Sequence, residues 1–156
     1  MRALATMASA LATLCLIALW GSTSLAANEE LLLVIVHPKS PVDRVSSYEI
    51  EALFTRARTR WSDGSTVYPF SFPAGSPARE TFDRVVLRLS PDQVGRFWVD
   101  RRIRGLGMPP KQVPSPTLMA QIVSNLPGAI GYLPSTRSRP GLKVVARIVQ
   151  GKVLSP

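Results

Sequence analysis

The sequence predicts an α/β fold in which strands and helices alternate along the chain and stack in layers. Three observations carry that expectation. Residues 31–37 are a continuous apolar run rich in branched side chains, ending at Pro38. Such a run reads as a strand buried on both faces, as in a largely parallel sheet. Ser-Pro occurs at 76–77, 90–91 and 115–116. Each pair offers a hydroxyl at a helix N-cap and proline at the first helical position. Finally, in residues 125–134 an amphipathic helix runs out at Asn125, a Pro-Gly turn follows, and a short apolar strand begins at once. Gly128 suits the positive φ of that turn, and Gly131 leaves room for another backbone to approach the strand.

The remaining elements follow in order. After the loop 38–45, Ser46-x-x-Glu49 forms a capping box. The helix it opens places Ile50, Leu53 and Phe54 on one face and fades near Arg58. Asp63-Gly64 marks a turn. Residues 66–72 alternate small or polar with aromatic side chains and form the second strand. Helices are expected over 77–89, 91–104 and 116–124, and Gln93 completes a second capping box with Ser90. Residues 105–114, rich in Gly and Pro, form an irregular loop. A strand at 129–133, a polar turn at 135–141 and a final strand at 142–149 complete the chain. There is no internal repeat and no linker, and 156 residues make one ordinary domain.

The N-terminus stands apart from that domain. Arg2 supplies a positive start, residues 3–20 are almost uncharged and apolar, and Ser24-Leu25-Ala26 offers small residues at a cleavage position. This is the three-part pattern of a secretory signal peptide over residues 1–26, cut after Ala26 or alternatively Ala27. A retained membrane anchor is the competing reading, since about 18–20 apolar residues span a bilayer. The single cysteine, Cys15, lies inside the apolar run, so the domain at 27–156 has no cysteine. A small exported domain without disulfides fits a bacterial periplasm.

The formal charge of +9, with many arginines between Arg56 and Arg104, attracts anions of any kind. Export argues against nucleic acid as a partner, and most of these arginines read as a solvated face. His37 is the only histidine and ends a buried strand, so no transition-metal site is expected. No Gly-x-Ser-x-Gly elbow is present. Asp100 and Arg104 have the spacing of a simple i,i+4 ion pair, while Trp61 and Trp98 read as core. No catalytic set and no cofactor site emerges, and the chain does not read as an enzyme.

The order of motifs brings a resemblance into view. Glu49-Ile-Glu-Ala-Leu-Phe54, Arg60-Trp61-Ser-Asp-Gly64, the segment from Phe72 to Phe82, Phe97-Trp98 with Gly107-Met-Pro-Pro110, and Pro127 to Tyr132 follow one another along the chain. Together they resemble the second lobe of phosphate-type binding proteins of the ABC transporters. The resemblance implies a periplasmic binding protein type II-like single lobe, with a mixed sheet flanked by helices. It also implies a small inorganic anion, phosphate or a related oxyanion, as ligand and an ABC permease as partner. The alternative is a lobe without a ligand cage that contacts an envelope protein or pairs as a homodimer.

The implied anion site is Gly75, Ser76 and Arg79. The physics is consistent with it. A helix start presents unpaired N–H groups and the positive end of its dipole. Ser76 adds a hydroxyl, and Arg79 one turn on adds a guanidinium. Three positions depart from the family pattern. Pro77 has no N–H, Ala78 has no hydroxyl, and Phe72 stands where an arginine is expected. The bland alternative is that Ser76 merely caps its helix and Arg79 faces solvent.

Overall fold

The computed structural model describes residues 31–138 and 140–156. The expected signal peptide, 1–26, lies outside them. Among the described residues no helix is long and apolar enough to cross a membrane.

Strand β1 (Leu32–Val36) is buried along its whole length and lies inside a six-stranded sheet. The other strands are β2 (Tyr68–Ser71), β3 (Lys111–Gln112), β4 (Ala129–Pro134), β5 (Lys143–Val149) and β6 (Lys152–Leu154). Their order across the sheet is β3-β2-β4-β1-β5-β6. The sheet is mixed, and here the expectation for β1 is corrected. It runs antiparallel to both neighbours, pairing Val34 with Tyr132 on one side and with Ala146 on the other. Burial on both faces reports that both faces are covered; it carries no information about strand direction. The parallel pairings occur one strand away, where β2 lies beside β4 and β3.

Helix α1 (Ser47–Phe54) begins at the expected capping box. The Ser46 N–H donates to Glu49 Oε2 at 2.9 Å, and the Glu49 N–H donates back to Ser46 Oγ at 3.3 Å. It buries Ile50, Leu53 and Phe54. Helix α2 (Pro77–Phe82) is shorter than the sequence suggests. It passes into a π-helical turn over Asp83–Leu87, closed by Arg88 in the left-handed region at φ 55°. Helix α3 (Pro91–Ile103) and helix α4 (Pro116–Asn125) start where Ser90 and Ser115 predict.

Two short strands go beyond the sequence reading. β3 lies inside the loop expected to be irregular, and β6 follows the strand expected to be last. Neither two nor three residues carry a periodic pattern; each exists because a longer strand beside it offers free backbone groups.

The two glycines of the turn and strand at 125–134 have separate reasons. Gly128 has φ +83°, and a Cβ there would overlap the Thr66 carbonyl oxygen. At Gly131 a Cβ would collide with Met119 of α4, so the close approach is by a helix side chain rather than by backbone. The core also holds an aromatic cluster. Tyr132 stacks on Phe82 with centroids 4.0 Å apart and meets Phe72 edge-on at 5.4 Å, while Phe54 packs against Phe82 at 4.6 Å. Such contacts add about 0.5–1.5 kcal/mol per pair beyond the area they bury.

Candidate functional site

The expected anion site lies where β2 ends and α2 begins. Three residues, Pro73 to Gly75, make the turn, with Gly75 at φ +81° and open space where a Cβ would be. Ser76 then takes the N-cap position with extended backbone, but its hydroxyl does not cap. It donates instead to the Pro73 carbonyl at 2.8 Å, reinforcing the turn behind it. The other two Ser-Pro starts behave as expected. Ser90 Oγ accepts from the Gln93 N–H and Ser115 Oγ accepts from the Leu118 N–H, both at 3.3 Å. One local signature therefore has two outcomes, because at Ser76 a nearer carbonyl competes for the hydroxyl.

Arg79 lies one turn into α2 and is 8% exposed, not solvent-facing. Its Nε donates to Asp83 Oδ2 at 2.6 Å, and its Nη1 donates to Ser71 Oγ at 3.0 Å and to the Phe72 carbonyl at 3.1 Å. The guanidinium thus ties the C-terminal end of β2 to the second turn after it. Burial pushes the Asp83 carboxyl above its ordinary range, while Arg79 pulls in the opposite direction. Tyr132 closes the network on the core side. Its hydroxyl accepts the Phe72 N–H at 3.4 Å, and burial raises the phenol pKa despite that bond.

The space beside this network is small. A cavity of about 10 Å³ bordered by Ser71, Arg79, Asp83, Trp98 and Pro110 has room for roughly one water. Of these residues, Asp83 and Trp98 each bury a polar atom, Oδ1 and Nε1, with no hydrogen-bond partner among the described residues. Phe72 is 3% exposed and packed against Tyr132. The structure places Gly75 and Ser76 at the surface of the turn and Arg79 beneath it, facing Ser71 and Asp83. Asp83 and Ser71, the partners that decide what Arg79 does, were not singled out from the sequence. The i,i+4 spacing of Arg79 and Asp83 was the available signal. Among the described residues no cluster of His, Cys, Asp and Glu could hold a metal ion.

With this geometry in hand, similarity to solved structures becomes informative. The chain is similar to an ABC-type phosphate transport receptor from Vibrio cholerae, with a TM-score of 0.59 and 16% identity over 76% of this chain and 47% of that one. It is also similar to a putative phosphate ABC transporter substrate-binding protein with bound phosphate from Clostridium perfringens, with a TM-score of 0.60 and 16% identity over 76% and 46%. PstS from Borrelia burgdorferi gives a TM-score of 0.59 and 13% identity over 74% and 46%. The fold is that of one lobe of a PstS-type binding protein. The lobe spans less than half the length of these structures. No protein-family model and no curated protein matches the sequence.

Proposed function

We propose that this chain is an exported lobe of the binding-protein kind that acts by contacting another envelope protein or a second copy of itself. The observation that carries this reading is the commitment of Arg79. A guanidinium bonded to a buried carboxylate at 2.6 Å, a hydroxyl and a carbonyl has little attraction left for an incoming anion. The departures at Pro77 and Phe72 support it: one removes an N–H and the other replaces a cation with a buried ring. Export rests on the signal-peptide pattern at 1–26, which implies a periplasmic location.

A second reading is favoured by the hydroxyl of Ser76, which lies off the helix cap beside the open Gly75. In it, Gly75, Ser76 and Arg79 hold phosphate or a related oxyanion at the start of α2 for delivery to an ABC permease. Isothermal titration with phosphate, sulfate and molybdate separates the two. The contact reading expects no saturable heat, together with a dimer or partner complex on cross-linking and size exclusion. Saturable heat that disappears in Ser76→Ala establishes the anion reading instead, and a monomer that captures no envelope protein removes the contact reading.

A further inference from the structure

A second cleft lies at the other end of β2. It has a volume of about 390 Å³, within the range of small-molecule sites. Three separate segments wall it: the stretch after β1 with His37, Lys39 and Ser40, the hairpin from Trp61 to Thr66, and the turn Pro127-Gly128 beside Tyr68.

Each wall is pinned by backbone bonds. The Ser40 N–H donates to the His37 carbonyl at 2.8 Å, the Trp61 N–H to the Ser65 carbonyl at 2.8 Å, and the Tyr68 N–H to the Gly128 carbonyl at 3.0 Å. The backbone frame of the cleft is therefore preformed. Gly128 is what lets two of the walls meet, since a Cβ would strike the Thr66 carbonyl.

The polar groups of the walls are mostly donors. Trp61 is 4% exposed and Ser40 8% exposed, and Trp61 Nε1 and Ser40 Oγ are buried with no partner among the described residues. An indole N–H can only donate. His37 Nδ1 accepts the Lys39 N–H at 3.1 Å, so the neutral ring carries its proton on Nε2 and is a donor there. Lys39 is exposed and adds an ammonium group at the rim. Asp63 is the one carboxylate among the lining residues, and its Oδ1 is held by the Ser65 N–H at 2.9 Å and hydroxyl at 2.6 Å. The rings of Trp61 and Tyr68 supply apolar surface.

We propose that this cleft binds a small organic carboxylate, its oxygens taken by the donors of Trp61, Ser40 and His37 and its body set against the Tyr68 ring. Neither Trp61 Nε1 nor Ser40 Oγ is open to solvent, so contact takes a side-chain adjustment of the kind that commonly accompanies binding. A carboxylate fits better than phosphate, because a flat two-oxygen acceptor matches a few donors beside an aromatic wall. A tetrahedral dianion needs more donors and carries more charge against Asp63. The site is independent of how the α2 end works, so its failure leaves the reading of Arg79 untouched.

The test is a titration of the isotope-labelled protein with benzoate, followed at the assigned indole N–H resonance of Trp61, with inorganic phosphate as comparison. Benzoate is expected to move that resonance downfield and saturably. Ser40→Ala is expected to weaken binding roughly threefold to tenfold, the effect of one lost hydrogen bond. Lys39→Ala, at an exposed position, is expected to weaken it without disturbing the fold. The proposal is overturned if benzoate, succinate and glutamate leave the resonance unmoved at concentrations that saturate a millimolar site. A response to phosphate equal to that of benzoate also overturns it, as does unchanged benzoate affinity in both variants.

Discussion

At the C-terminal end of β2, the bonds described for Arg79 run to Asp83, Ser71 and Phe72, and the remaining space is about 10 Å³. At the N-terminal end of the same strand, Ser40 and Trp61 keep buried polar atoms without partners among the described residues, beside a cleft of about 390 Å³. The first end holds its cation inward, against Asp83 and Ser71. The second end draws on the Pro-Gly turn that marks the fold and has stayed open. The difference teaches that motif position and binding chemistry can part company: a site needs donors that the protein has not already used.

The comparison can be broken most forcefully at Arg79. Arg79→Ala leaves Asp83 buried without its partner and should destabilise the lobe by about 3–5 kcal/mol in a urea melt. Wild-type stability with new phosphate binding in that variant would show that the guanidinium had no structural role. Next in size, Gly128→Ala forces a Cβ into a left-handed position against the Thr66 carbonyl. A loss on the order of 2 kcal/mol is expected, together with loss of the cleft's ligand response.

The three Ser-Pro helices sharpen the comparison further. Ser90→Ala should cost about 1 kcal/mol, the usual value of an N-cap, and Ser76→Ala clearly less because its hydroxyl does not cap. Equal losses in thermal melts would contradict the geometry at Ser76.

The smallest effect concerns pH. The backbone and hydroxyl bonds from Ser46 hold the Glu49 carboxyl below its ordinary value of 4.5. The folded state thus binds this proton less tightly than the unfolded chain does. The stabilisation is complete above 4.5 and is lost as pH falls through the lower folded value. Glu49→Gln keeps the capping box and should flatten that part of the stability–pH curve. An unchanged curve would remove Glu49 as its source.

Much of the fold was legible because it is local. Ser46-x-x-Glu49 and Ser90-x-x-Gln93 close capping boxes within four residues, and Ile50, Leu53 and Phe54 share a face by helical spacing alone. The candidate anion site was legible only in part. Ser76 and Arg79 could be named, but the partners that occupy them come from competition with Pro73, Ser71 and Asp83, which no spacing ranks. β3 and β6 were invisible because their reason for forming lies in a neighbouring strand.

The sequence by itself determined where helices start, which side chains are apolar enough to be core, and that Gly128 ends a turn. These rest on bonds and periodicities spanning only a few residues. Only the tertiary structure decided that β1 runs antiparallel to both neighbours, that Arg79 is buried, and that His37, Trp61 and Gly128 meet around one cleft. Those outcomes depend on strand pairing across the sheet, and pairing brings together residues whose separation along the chain carries no signal of their contact.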